Sequence, residues 1–463
     1  MSHPIRASRW RPAALAHLLA WSSLGFTAMG AGAFPLASEG CPMAHCDARM
    51  SDLVKSTTPS VGVAVRVDRT SPPAIGGLGC VSNTRLVACT GGGDPAVSSN
   101  LVVYDADGNR LWDDGGILGT SAWKSAAIIG DNDLVLAADQ NTVLMADPRA
   151  GTILWQSAKP DSAPPISPVL AGSGRDLVLI ASGAGNADST PQLSVWDAAN
   201  GAMLDTMTLV DPISLQVYST FNTPAVAGNR AYVLASVVSN GTNGRLFALD
   251  ICESASCGGR GKLSVAWTYD FRGPSGASPL LIGSRLFFDG RTQAGAGTFM
   301  AIDDTGTAPS LAWRIQATST FAASAAQDPR GGLWVYPWQT GKLLRLNPMT
   351  GAVLQTVNTS TVLGVSAGYY PVTAVSTSSS PGGAVVLTFG ARAAGRGSAT
   401  PPYVAAVDVS TAPAGTLLWK FKFANTVAAN VPTGQFPIVT NATGARRVVV
   451  RGANNSTFFV GEP

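Results

Sequence analysis

Within ten residues, Cys41-Pro42-Met43-Ala44-His45-Cys46-Asp47-Ala48-Arg49-Met50, the chain gathers two thiols, two thioethers and an imidazole. Such soft and borderline donors favour copper, so Cys41, Met43, His45, Cys46 and Met50 make a candidate Cu(I) site and, with it, an electron-transfer accessory. The same residues support a plainer chemistry. In an oxidising compartment Cys41 and Cys46 close a small disulfide loop that pins an N-terminal arm, leaving Met43 and His45 to face solvent or pack on the body. The disulfide is preferred, because all six cysteines fall into close pairs, Cys41 with Cys46, Cys80 with Cys89 and Cys252 with Cys257.

The rest of the inventory excludes much. His45 is the only histidine beyond the first 33 residues, so a zinc site of several histidines is out of reach and a Ser-His-Asp triad would have to recruit that one residue. Charged residues are 13% of the chain and the net charge is +3 without a basic run, which gives no footprint for nucleic acid. Arg6, Arg9 and Arg11 precede an apolar run, and Ala31-Gly32-Ala33 offers a small-residue cleavage site. The expected organisation is a signal peptide at 1–33, an arm with the Cys/Met/His cluster at 34–59 and a body at 60–463, periplasmic or secreted, with no membrane span once the signal is removed. A retained anchor is the alternative, since the run approaches the ~20 residues that cross a bilayer.

The elements that would position any site come from a repeat. An apolar strand ends in Asp or Asn, a turn with Gly follows, and apolar residues lead to Trp or Leu: "LVVYDADGNRLW", "VLMADPRAGTILW", "LSVWDAANGAML" and "LLRLNPMTGAVL". Three further copies carry insertions. The markers Asp105, Asp147, Asp197, Asp250, Asp303, Asn347 and Asp408 recur at intervals of 42 to 61 residues, with Trp112, Trp155, Trp267, Trp313 and Trp419 after them. That period is blade-sized. A second phrase, as in "SPLLIGSRLFFDG", alternates with the first and is one copy more numerous. The pattern therefore predicts an all-β, eight-bladed β-propeller whose last blade is completed by an N-terminal strand at 60–67; seven blades is the alternative.

The phrases "YDADGNRLW", "ADPRAGTILW" and "NPMTGAVL" resemble the tryptophan-docking repeat of the pyrroloquinoline-quinone (PQQ) β-propellers, over roughly residues 60 to 460. The resemblance implies that the marker Asp and Trp residues are structural, each Trp packing on a neighbouring blade. Catalytic members hold PQQ over a calcium bound by Glu, Asn and Asp and carry a disulfide between adjacent cysteines. This chain has no Cys-Cys pair, and its three glutamates are Glu39, Glu253 and Glu462, of which Glu253 lies within the body, inside an insertion, and Glu462 at its terminus. The expectation is a non-catalytic binding or assembly scaffold for protein or glycan partners, without a cofactor. A PQQ-dependent oxidoreductase with degenerate ligands and a copper accessory are the alternatives. The aromatic stretch from Trp334 to Trp338 is expected to pack between blades in preference to lining a channel or binding face.

Overall fold

The computed structural model describes residues 34–70, 79–91, 99–119, 125–161, 163–183, 191–220, 222–238, 243–273, 275, 277–291, 296–317, 324–337, 340–364, 372–380, 383–390, 403–423, 435–452 and 456–463. The expected signal at 1–33 lies outside these residues. The structure is an all-β propeller. The described strands form eight sheets: six are built from strands consecutive in the chain, one adds Leu53–Thr57 to four consecutive strands, and one joins both ends of the chain. Their innermost strands, taken in order, are Cys80–Ser82, Ile128–Ile129, Val169–Ala171, Ala225–Ala227, Leu280–Ile282, Ala326–Gln327, Val372–Ser380 and Ile438–Thr440. The outermost strands are Arg110–Asp113, Thr152–Ala158, Met203–Met207, Leu263–Arg272, Pro309–Gln316, Val353–Asn358, Thr416–Lys422 and, for the composite eighth sheet, Val63–Asp68.

Burial follows from that layering. In most sheets the two middle strands are covered on both faces by neighbouring sheets and are largely apolar, as in Leu86–Thr90 and Leu177–Ala181, where every residue is buried. Outer strands show one face to water, and Thr152–Ala158 alternates between exposed and half-buried positions. The composite sheet forms because Val63–Asp68 pairs antiparallel with Ser456–Gly461, from Val63 opposite Gly461 to Asp68 opposite Thr457. Glu462 fastens this join: its carboxylate accepts hydrogen bonds from the amide and hydroxyl of Ser60 at 2.9 and 2.8 Å and from the Arg446 guanidinium at 2.7 Å.

The tryptophans join successive sheets. The indole N–H of Trp155 donates to the Ala198 carbonyl at 3.1 Å, that of Trp313 to Pro348 at 2.9 Å, and that of Trp419 to Pro59 at 2.8 Å, in each case on the next sheet. Each indole lies over a turn where a side chain has no room. A Cβ on Gly201 would stand 2.4 Å from the Trp155 ring, and the residue has φ of 71°, which glycine adopts without strain. Where Leu204 replaces the tryptophan, it covers Gly261 in the same way.

The marker carboxylates divide into two groups. Asp105, Asp147, Asp197, Asn347 and Asp408 each accept the backbone N–H two residues on, which shapes the turn. Asp250 and Asp303, whose turns carry insertions, instead bind guanidinium groups across the strand pair, Arg230 at 2.8 Å and Arg285 at 2.6 Å. In that sheet the next residue, Asp304, takes the Trp267 indole at 2.9 Å and the Gly306 amide at 2.7 Å.

Two outcomes follow. Gly201→Val is expected to cost about 2–4 kcal/mol in denaturant unfolding, from overpacking against Trp155 together with a strained positive φ. Burial works against an ionised Glu462, but the hydrogen bonds from Arg446 and Ser60 outweigh it and hold its pKa down at about 2, against an ordinary 4.5. A carboxylate depressed in the folded state adds stability that is present above its unfolded pKa and lost as pH falls through the folded one. Glu462→Gln should therefore lower the melting temperature at neutral pH, and its gap from wild type should close between pH 4.5 and about 2.

Candidate functional site: an axial arm and a peripheral groove

The arm at 34–57 meets every sheet. Pro42 accepts from the Ile129 amide at 2.8 Å, and Cys41 exchanges two backbone hydrogen bonds with Ser82 at 2.9 and 2.8 Å. The carbonyls of Ala48, Arg49, Ser51 and Asp52 then accept from Val226, Leu281, Gln327 and Thr377, the innermost strands of the fourth to seventh sheets in turn. The Phe34 amide reaches Arg175, in the turn after the innermost strand of the third sheet. Gln435, just before the innermost strand of the eighth, accepts from the His45 amide at 3.2 Å and donates to Cys80 at 3.0 Å. A segment that touches all of these strands sits at the centre of the ring. Leu53–Thr57 leaves that centre as a parallel strand beside Val372–Ser380.

To radiate its carbonyls the arm must curl tightly. His45, Cys46, Met50 and Asp52 all take left-handed φ, between 49° and 69°, a region that non-glycine residues enter at a cost and keep only when surroundings over-determine it. Here the Cys41–Cys46 bond closes one curl. Asp47 closes the next, accepting from the Arg49 and Ser51 amides at 3.0 and 3.1 Å and from the Ser51 hydroxyl at 2.7 Å.

The donors proposed for copper are thus dispersed. Cys41 and Cys46 are bonded to each other, while Met43 and Met50 are fully buried among apolar residues that include Val169 and Ile180. His45 neither faces solvent nor joins a ligand set. Its Nδ1 lies 2.8 Å from Asp52 Oδ2, and both residues are about 2% exposed. Burial raises the Asp52 carboxyl above the ordinary range; His45 opposes the rise and Asp47 adds to it. Among the described residues no group of three or more His, Cys, Asp or Glu is placed to hold a metal. Sequence reading missed Asp52 as the partner of His45, although the spacing of seven residues across a cysteine-closed loop was a usable signal.

The other expected features are placed as follows. Cys80–Cys89 and Cys252–Cys257 are disulfides, the first across directly paired strands. Glu253 is engaged by Ser173 of the third sheet, whose hydroxyl donates at 2.8 Å, so the inserted loop clasps its neighbour. Trp334 is fully buried, its indole donating to Asp328 at 3.1 Å; Trp338 lies outside the described residues.

The periphery carries a concavity that no motif announced. Between the fourth and fifth sheets a groove of about 1040 Å³ is lined by Tyr218, Tyr269 and Phe271 on one side and Met300, Arg291 and Arg314 on the other. Beside it the loop 211–216 projects into solvent, with Ile213 92% and Leu215 74% exposed. Asp211 braces that loop, accepting from the Ile213 and Ser214 amides at 2.8 and 2.7 Å and from the Arg245 guanidinium. These hydrogen bonds hold the Asp211 carboxyl well below the usual carboxylate range.

Replacing Cys41 and Cys46 with Ser should destabilise the fold by about 2 kcal/mol, the loop-closure value for so short a ring, as read by chemical unfolding. Deletion of the arm should cost far more.

A family model described as outer membrane protein assembly factor BamB, of the PQQ-repeat type, matches residues 139–255. No curated protein sequence matches the chain significantly. Among solved structures it is similar to a quinohemoprotein alcohol dehydrogenase from Comamonas testosteroni, at 12% identity and TM-score 0.57, over 92% of this chain and 81% of that one. A europium-containing methanol dehydrogenase is similar at 11% identity and TM-score 0.57, over 89% of each chain. BamB from Moraxella catarrhalis aligns at 12% identity and TM-score 0.45, over 86% of this chain and 99% of that one. The repeat of that family is thus matched along 139–255, and over the ring as a whole the chain is similar in fold to quinoprotein propellers.

Proposed function

We propose that this protein is an exported, non-catalytic β-propeller that acts as a binding or assembly scaffold for a protein partner. The observation that carries this reading is the arm: the centre of the ring is taken by the chain's own backbone, hydrogen-bonded strand by strand. Binding then belongs to the periphery. The loop 211–216, with Ile213 and Leu215 held out in water by a braced turn, has the character of a protein contact, since large aliphatics are rarely left so exposed together. The family model matched is that of an assembly factor, which agrees with a protein partner; nothing found favours a glycan.

The PQQ-oxidoreductase reading draws on the dehydrogenase likenesses, and among the described residues the candidate carboxylates do not favour it. Glu253 is committed to Ser173, and the buried carboxylate at the ring centre, Asp52, is committed to His45. The bond between Cys41 and Cys46 supports the disulfide reading of this segment over the copper one. In this proposal residues 1–33 are a cleaved signal and the protein works in the periplasm or outside the cell; among the described residues no helix is long and apolar enough to cross a membrane. The blade count is seven, the alternative of the sequence reading and not its first expectation of eight; the composite sheet that Val63–Asp68 completes is read in this proposal as the closure of the ring.

A photo-reactive residue placed at Ile213 or Leu215 in the native host is expected to give one discrete protein adduct, with none from a control at exposed Met349. Stoichiometric PQQ and calcium in the protein purified from its native compartment would overturn the scaffold reading.

A further inference from the structure

Many arginines in this structure are matched to carboxylates, while Arg49, Arg66, Arg69 and Arg175 stand singly without one among the described residues. Arg260 holds Asp176 and Asp197, Arg330 holds Asp328, and Arg447 holds Asp107. The groove between the fourth and fifth sheets departs from that pattern. Four of its lining residues are arginines, Arg245, Arg272, Arg291 and Arg314, against two acids, Asp211 and Asp270. Both acids are taken by Arg245, Asp211 through one amino group and Asp270 through both sides of the fork. The side chains of Arg272, Arg291 and Arg314 make no ion pair or hydrogen bond among the described residues, and all three residues are exposed. The stretches that follow them, 292–295 and 317–323, contain no acidic residue. The groove therefore carries positive charge that the described residues leave unmatched.

Its shape narrows the occupant. The three free guanidinium groups are carried by separate strands, Leu263–Arg272, Arg285–Arg291 and Pro309–Gln316. A small anion would engage one or two of these; an extended chain can engage all. The floor between them is apolar, with Tyr218, Phe271 and Met300 each buried at 4%, 8% and 3% exposure, and Arg245 stacks on Tyr218 with its guanidinium carbon 5.1 Å from the ring centre. Guanidinium forks over an apolar floor suit carboxylates interleaved with apolar side chains. We propose that this groove binds an extended acidic segment of the protein partner, carrying at least two carboxylates. The inference rests on the scaffold reading and adds to it the chemistry of the partner.

The test uses the purified mature protein and a fluorescent peptide of alternating Glu and Leu or Ser, compared with the same peptide carrying Gln for Glu. The acidic peptide is expected to bind, to weaken at least tenfold when salt rises from about 50 to 300 mM, and to weaken at least tenfold in R291E/R314E. That double variant should instead take up a Lys-for-Glu peptide, which shows that its groove is intact. Equal binding of the acidic and Gln peptides, no binding of either, or unchanged affinity in R291E/R314E would overturn the proposal. Tighter binding of tripolyphosphate or a sulfated polysaccharide than of the peptide would also overturn it, in favour of a general polyanion site. Because purified components are used, these failures leave any adduct formed at Ile213 standing.

Discussion

The pairing of Val63–Asp68 with Ser456–Gly461 is the interaction on which the rest of the molecule depends. A ring of sheets is stable only when it closes, because an open ring exposes the apolar faces of its first and last members. Here closure needs strands from opposite ends of the chain. The Glu462 carboxylate, bonded to Ser60 on one side and Arg446 on the other, ties both contributions together at the join. Only a closed ring has a centre, so the seat of the arm is itself a product of closure.

Once at the centre, the arm must satisfy its backbone there, since an unpaired buried amide or carbonyl costs as much as a lost hydrogen bond. It does so by offering carbonyls outward to strand amides that point inward. This explains why a Cys-, Met- and His-rich stretch is buried: its chemistry with metals gives way to packing, bridging and a single His45–Asp52 pair. Inserted segments act at the rim in a comparable way. The loop stapled by Cys252–Cys257 and the following Arg260 fasten the fourth sheet onto the third.

The propeller was legible in the sequence because its signals are local and repeated: Asp, Gly and Trp at set offsets with strands between them. The close cysteine pairs were legible for the same reason. The eventual place of the arm was not. Nothing between Cys41 and Met50 indicates that the partner of Asp52 O is Thr377 or that His45 N lies against Gln435, because those contacts join residues hundreds of positions apart. Asp250 and Asp303 looked like the other turn markers, yet each faces an arginine on the paired strand, Arg230 and Arg285, and binds it. The groove escaped notice because its arginines are spread over three strands and form no run.

The arm also sets an order of events during synthesis. Residues 34–57 emerge before any of the sheets they touch, and the groups that hold them are spaced from Ser82 to Gln435, so the segment waits for almost all of these sheets before it can settle. Contacts of such long sequence separation form late and slowly. A prematurely terminated product would present Phe34, Met43 and Met50 to water with nowhere to dock, an apolar flag open to proteases and chaperones. The centrepiece of the ring is in that sense a mark of completeness, hidden only when every sheet has been made.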